Sequence, residues 1–501
     1  MYTGDTIAAI ATALSPAGIN IIRISGENAF SVTASLFRSA RGKEFSSIPS
    51  GTVSYGFIEF EGEVLDEVLV LKMAAPHTYT CEDVTEIHTH GGVLVTKRVL
   101  EAILASGARL AESGEFTKRA FLNGRIDLSQ AEAVMDVIGS GSDLARRNSM
   151  KQLRGSLRDE INRIRESIIL ETAHIEAALD DPEHISLDGF TETLLPKTEG
   201  LLKELKRLLD SFDTGKIIKD GLNVVIAGRP NAGKSSLLNA LLKEERAIVT
   251  EIAGTTRDTI SESLDIGGLV LNLTDTAGIR QSGDLVESIG IDRALKAAAE
   301  AQLILYLIDS PVGITDEDKD NLKSFAEKKV ILIYNKDDLI NDSNMSLQIE
   351  AQTGVIYEGN GNPSVDAASK TVDRASLTVG SENSSVETGE GLPFSVDGCV
   401  RISALTGEGV EDLKDMIKDM FLSGSLTAGH DMILTNVRHA GHIRDAVASL
   451  ELVKSGIESG VDEDLLSIDL MDAYKSLGMV TGEEYRDDLA DKIFSTFCMG
   501  K

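Results

Sequence analysis

The chain has 501 residues, enough for two or three domains with a large buried core. Its formal net charge of −31 and pI near 4.7 exclude a continuous basic footprint for nucleic acid, so any RNA contact must be local or shared with a basic partner. Three cysteines (Cys81, Cys399, Cys498) are too few for a disulfide framework, and there is no secretory segment and no run of about 18 apolar residues, so a soluble, cytoplasmic, non-membrane chain is expected.

Residues 1–121 alternate strand-like runs at 19–24, 51–60 and 68–73 with short helical ones, the pattern of an α+β domain. Cys81, His88 and His90 raise the idea of a metal site, because His-x-His puts two imidazoles on one strand face. No fourth ligand has suitable spacing, and a structural or ligand-facing His90 is the plainer reading. From 122 to 216 apolar residues recur at three and four, predicting helices at 128–138, 143–178 and 189–212. The stripe Leu153, Leu157, Ile161, Ile164, Ile168, Ile169 predicts a bundle core, and Pro182 stops the helix before it.

Residues 217–424 carry the clearest chemistry. The apolar run 222–227 leads into Gly228-Arg229-Pro230-Asn231-Ala232-Gly233-Lys234-Ser235-Ser236 and then into a helical run, the strand, loop and helix of a P-loop. Gly228 and Gly233 let backbone N–H groups converge on phosphate, Lys234 reaches the outer phosphates, and the Ser235 hydroxyl is suited to Mg2+. A second strand-like run, 269–274, ends in Asp275-Thr276-Ala277-Gly278, which suits the Mg2+ shell and γ-phosphate sensing. A third, 330–334, delivers Asn335-Lys336-Asp337-Asp338, where Asp338 can accept from both N1 and the exocyclic amine of guanine. GTP is therefore the expected nucleotide. A last run, 399–402, ends in Ser403-Ala404-Leu405, whose backbone suits the guanine O6. Motifs in this order at strand ends predict a doubly wound, Ras-like sheet with its ligand at the carboxyl edge.

Between them, Thr250, Glu251, Ile252, Ala253, Gly254, Thr255 and Thr256 form an effector-type loop, with Thr256 as second Mg2+ ligand. Where Ras-type GTPases place a water-orienting Gln after the D-x-x-G glycine, this chain has Ile279, which cannot orient water. A nearby carboxylate, Asp284 or Glu287, must act instead, with a compensating cation from Arg257, Arg280 or a bound monovalent ion. The stretch 341–397 is rich in Ser, Gly, Asn, Thr and acidic residues and predicts a flexible inserted loop. Residues 425–501 return to helices, at 432–454, 463–477 and 483–495, with Thr481-Gly482-Glu483-Glu484 reading as a cap before the last. The ending Cys498-Met499-Gly500-Lys501 has the position of a prenylation box but the wrong residues for one.

These residues, with Asp5-Thr6-Ile7-Ala8-Ala9, Ile21-Ile22-Arg23-Ile24-Ser25-Gly26, His90-Gly91-Gly92, Gly114-Glu115-Phe116-Thr117-Lys118-Arg119 and Asp127-Leu128-Ser129-Gln130-Ala131-Glu132, resemble the bacterial tRNA-modification GTPases of the MnmE (TrmE) family over nearly the whole chain. The resemblance implies a folate-binding, dimerising N-terminal domain at 1–121 and a helical domain at 122–216 and 425–501, with the G domain at 217–424 inserted between its parts. It implies K+ held by Asn231 with backbone carbonyls of Thr250, Ile252 and Thr255, and a water-orienting Glu287. It places a 5,10-methylene- or 5-formyl-tetrahydrofolate against Arg23, Glu86, Arg125 and Lys501, and makes Cys498 a candidate for the modification chemistry, with an ordinary buried thiol as the alternative. It further implies an MnmG-type FAD- and NADH-dependent partner forming a heterotetramer, and modification at carbon 5 of the wobble uridine of certain tRNAs. A GTP-dependent assembly switch shares the G motifs but has no use for a pterin pocket.

Overall fold

A computed structural model describes residues 4–242, 261–275, 300–339, 396–422, 432–483, 493–495, 497 and 500. They group into two compact units, one of Met1–Ile138, Asn148–Asp210 and Asn436–Lys501, the other of Gly139–Arg147 and Ser211–Thr435.

The first unit contains a seven-stranded sheet of β1 (Ile7–Ile10), β2 (Ile19–Ser25), β3 (Phe37–Ser39), β4 (Thr52–Phe60), β5 (Glu63–Met73), β6 (Val84–His90) and β7 (Arg109–Leu110), in the order β3-β4-β5-β6-β2-β1-β7. Side chains alternate across the sheet. Ile22 and Ile24 of β2 and Ile87 of β6 are buried in one apolar core with Val32 and Leu36 of helix Ala29–Leu36 and Val99 and Ile103 of helix Val93–Ala105. Arg23 lies directly opposite Glu86, and Ile21 opposite His88, so these four share the other face. β5 begins earlier than the run at 68–73 suggests. Glu61 (φ 50°) and Gly62 (φ 84°) make a two-residue turn with both φ positive, and pairing resumes immediately at Glu63.

The second unit holds a six-stranded sheet of β8 (Leu222–Gly228), β9 (Ser261–Ile266), β10 (Leu269–Asp275), β11 (Leu303–Asp309), β12 (Lys329–Asn335) and β13 (Gly398–Arg401). The order is β13-β12-β11-β8-β10-β9, parallel except for β9. Both faces are covered, which explains why β8, β11 and β12 read as continuous apolar runs: one face packs with Leu237 of helix Lys234–Leu242 and Leu413 of helix Val410–Leu422, the other with Leu322 of helix Asp316–Lys323. All but the last two residues of the stretch 341–397 fall outside the described residues.

The helices correct the sequence reading in two places. The helix expected at 143–178 is two, Asp143–Leu153 and Ser156–Asp180, because Gly155 sits at φ 93°. The helix expected from 432 starts at Val437, since the Asn436 side chain accepts from the Arg438 N–H at 2.8 Å and caps it there. Thr481-Gly482 closes helix Glu463–Thr481, with Gly482 at φ 88°; most of the helix expected at 483–495 lies outside the described residues. Leu157, Ile161, Ile164 and Ile168 are fully buried along Ser156–Asp180, as the stripe predicts.

Helix Leu128–Gly139 is tied to helix Val437–Ser459 by one buried cluster. Glu132 accepts from Arg438 Nε at 3.0 Å and Nη2 at 2.9 Å, and His439 Nε2 lies 2.7 Å from its Oε2. Arg438 also donates to the carbonyls of Met479 and Val480, anchoring Glu463–Thr481. Burial alone would raise the Glu132 carboxyl, but His439 and Arg438 hold it down to about 2. Burial pushes the His439 imidazolium the other way, below its ordinary value, so the ring is neutral at pH 7. Both shifts act in one direction: stability is lost as pH falls below the ordinary histidine range, and again as it falls from the usual carboxylate range toward 2. The carboxylate's share is on the order of 3 kcal/mol. In Glu132→Gln the acid limb below about pH 4.5 should flatten, and the buried Arg438 left without its counter-charge should destabilise the helices by about 3–5 kcal/mol. Helix circular dichroism against urea across pH measures both; an unchanged profile would contradict the assignment.

Candidate functional site

Among the described residues, the P-loop, Asp275 and the 335–338 and 403–405 stretches lie at carboxyl ends of the parallel strands. The P-loop leaves β8 with Gly228 (φ 136°), Asn231 (φ 65°) and Gly233 (φ 99°) all in the positive region, and helix Lys234–Leu242 starts directly after it. A Cβ at Gly228 would meet the Leu307 carbonyl at 2.4 Å, and one at Gly233 would meet Asn335 Nδ2 at 2.1 Å, so neither position accepts a side chain. This curl, with Ser235 and Ser236 in the helix's first turn, gives a cradle of N–H groups and hydroxyls that fits a phosphate chain and its Mg2+. Lys234 Nζ donates to the carbonyls of Gly228 and Arg229 at 2.7 and 2.8 Å, which holds the ammonium inside the loop.

Asn335, at the end of β12, ties two loops together: Nδ2 donates to Ala232 O at 2.8 Å and Oδ1 accepts from Ala404 N at 3.0 Å. Asp338 accepts from Ser403 Oγ at 2.6 Å, which turns its carboxylate toward the 403–405 loop, where Leu405 is exposed. Lys336 (φ 67°) pairs with Asp309 at 2.7 Å. The structure thus brings together Asn231, Ala232, Gly233, Lys234, Ser235, Ser236, Asn335, Lys336, Asp338, Ser403, Ala404 and Leu405 along one sheet edge, with the backbone of Asp275 at the end of β10 on that same edge.

Two supports escaped sequence reading. Asp309 ends β11, and its apolar run closing in an Asp was a usable signal. Asp318 is fully buried; it accepts from Arg229 Nε and Tyr306 OH at 3.0 Å and from Thr315 N and Oγ1 at 2.9 and 2.8 Å. This anchors the P-loop arginine to the start of helix Asp316–Lys323. The Thr315-to-Asp318 spacing is a readable capping box, but the Arg229 contact is not.

A separate constellation lies on the other face of the first unit's sheet, where Ile7 and Ala9 are buried against Phe116 and Tyr79. Arg23 Nε donates to Glu86 Oε1 at 2.9 Å, and Arg23 Nη1 to Gly500 O at 3.4 Å. The guanidinium stands over the rings of Tyr79 and Phe116, at 5.4 and 5.5 Å. Arg125 lies over Tyr79 at 4.7 Å and donates to its carbonyl at 3.2 Å. Gly500 (φ 94°) lies so near β1 that a Cβ would meet Ile10 O at 2.4 Å. The Tyr79 loop is fixed from behind by Arg119, 1% exposed, which donates to Glu82, Glu115, the Asp5 carboxylate and the Asp5 carbonyl. Sequence reading did not single out Tyr79 or Arg119, whose partners lie far along the chain. Paired carboxylate and guanidinium beside aromatic rings form a donor set suited to a planar heterocycle with amide and amine edges.

The metal idea meets a different arrangement: His90 Nδ1 bonds Asp66 at 2.7 Å, and among the described residues no group of His, Cys, Asp and Glu is placed to hold a metal ion. Thr250, Glu251, Ile252, Ala253, Gly254, Thr255, Thr256, Thr276, Ala277, Gly278, Glu287, Cys498 and Lys501 lie outside the described residues, as do Arg257, Ile279, Arg280 and Asp284. No described helix is long and apolar enough to cross a membrane.

Comparison with known proteins decides between the G-protein classes. The family profile "GTP-binding protein TrmE N-terminus" matches residues 6–125, and "MnmE helical domain" matches 128–498. The tRNA modification GTPase MnmE of Lachnoclostridium phytofermentans is 49% identical over 99% of both chains. That of Finegoldia magna is 42% identical over 99% of this chain and all of its own. The chain belongs to the MnmE family of tRNA-modification GTPases. It is a GTP hydrolase acting in tRNA modification, and its architecture is that of an MnmE protein: an N-terminal TrmE domain, a helical domain and a G domain. Among solved structures, Era of Aquifex aeolicus is 24% identical over 46% of this chain and 66% of its own at a TM-score of 0.25, a likeness too slight to argue from.

In this MnmE chain, Asn335→Ala removes both loop ties at once and leaves the Ala232 carbonyl and the Ala404 N–H without that partner. Each costs about 1–3 kcal/mol if left unsatisfied, so affinity for a fluorescent GDP analogue should fall at least about tenfold. An unchanged Kd would show that the tie does not shape the nucleotide site.

Proposed function

We propose that this GTPase is K+-stimulated and that its turnover regulates a folate-dependent modification of carbon 5 of the wobble uridine, installing an aminomethyl or carboxymethylaminomethyl group. Asn231, with the carbonyls of Thr250, Ile252 and Thr255, holds K+; Ser235 and Thr256 hold Mg2+; Glu287 orients the attacking water. The remaining GTP contacts are Ala232, Gly233, Lys234, Ser236, Glu251, Ala253, Gly254, Asp275, Thr276, Ala277, Gly278, Asn335, Lys336, Asp338, Ser403, Ala404 and Leu405. Bound cations would neutralise charge developing on the phosphates, doing what a glutamine and an arginine do elsewhere. In the N-terminal domain, Arg23, Glu86, Arg125 and Lys501 hold a 5,10-methylene- or 5-formyl-tetrahydrofolate as one-carbon donor. Cys498 supplies a thiol to the modification chemistry. The chain works as a homodimer, in a heterotetramer with an MnmG-type FAD and NADH protein and with tRNA as substrate, in the cytoplasm. Its domains are 1–121, 122–216 with 425–501, and the inserted 217–424.

The observation that carries the reading is the pairing of Arg23 with Glu86 between two aromatic rings, with the Gly500 carbonyl brought to the same guanidinium. A GTP switch acting alone has no need of that arrangement. Calorimetric titration with 5-formyl-tetrahydrofolate should show binding that Arg23→Ala abolishes, while GTP hydrolysis in that variant stays faster in KCl than in NaCl. Undiminished folate binding would remove Arg23 from the site. Equal rates in the two salts would remove Asn231 from cation binding.

A further inference from the structure

β6 presents Glu86 and His88 on one face, two residues apart, beside Ile21 of β2 and Leu69 of β5. Glu86 Oε1 is engaged by Arg23, and Oε2 lies 3.8 Å from His88 Nε2, beyond hydrogen-bond reach. That ring nitrogen is shielded from solvent and has no hydrogen-bond partner among the described residues. The strand neighbours Ile21 and Leu69 have no polar side-chain atom to offer it. The contrast with His90, two residues on, is direct: its ring is engaged by Asp66 and it stands out in solvent. Buried polar atoms are nearly always satisfied, and those left over cluster where a ligand or water completes them.

We propose that His88 Nε2 is a ligand-reading atom of the folate site, bonding the heterocycle edge beside the groups held by Arg23 and Glu86. This rests on the folate reading above. A carboxylate only accepts, whereas a neutral imidazole nitrogen donates or accepts according to tautomer. His88 therefore adds to the acceptor-only Glu86 a contact whose tautomer can match either a donor or an acceptor on the adjacent ring position. Because the nitrogen bonds nothing else described, it contributes little to the fold without ligand.

The test is calorimetric titration of the full-length protein with 5-formyl-tetrahydrofolate, alongside thermal unfolding without ligand. His88→Leu should weaken binding about tenfold. His88→Gln, which returns a polar group near the Nε2 position, should restore most of it. The ligand-free unfolding temperature of His88→Leu should equal or exceed that of the wild type. Wild-type affinity in His88→Leu, with Arg23→Ala abolishing binding, would overturn this assignment alone. So would a fall in ligand-free stability that tracks the lost affinity without rescue by glutamine. If Arg23→Ala also binds like the wild type, or the wild type does not bind, the folate reading fails and this assignment with it.

Discussion

Arg23 and Glu86 face each other across adjacent antiparallel strands, so their pairing is set by the β2–β6 register and not by a flexible loop. A one-residue slip of either strand would turn its own charged side chain into the apolar core that holds Ile22, Ile24 and Ile87 and leave the other unpaired. The alternation of those core residues is thus what keeps two charges together on the opposite face. Neither charge is well solvated, with the two side chains 17% and 16% exposed, and each needs the other. The Tyr79 loop, Phe116 and Gly500 are then arranged around a guanidinium whose position is already determined. The loop is held in turn by Arg119, and Thr80 receives a bond from Asn123 and shares one with Ser25.

The G unit solves the same problem with backbone. Parallel strands end together, so their loops meet at one edge, and a few side chains lock them there. Asn335 ties the P-loop to the 403–405 loop, Lys336 is held by Asp309, and Asp318 holds Arg229. These ties hold the loops proposed above to contact guanine and phosphate in place without ligand, which reduces the entropy that binding must overcome.

How much of this was legible in the chain follows from the range of each interaction. The P-loop and the N-K-x-D stretch are local, written in glycines and polar residues directly after apolar runs, and their placement at strand ends could be read from sequence, as could that of Asp275. The family followed from the same stretches. The break at Gly155 was hidden because the apolar period continues through it, and periodicity does not report the sign of φ. The helix start at Val437 depends on one cap, so the apolar run before it was misread as helix. Arg119 and Tyr79, and the Arg229 contact of Asp318, act through partners far along the chain, such as Asp5 to Arg119 or Arg229 to Asp318, and no local pattern announces those contacts.

The account's central claim is that the Arg23–Glu86 site serves tRNA modification and that GTP hydrolysis alone does not suffice. The direct measurement is nucleoside analysis of tRNA from cells whose sole copy of this protein is Arg23→Ala, with GTPase activity assayed on the same purified variant. The account predicts loss of the carbon-5 modification of wobble uridine with hydrolysis retained. Fully modified tRNA in that strain would contradict it.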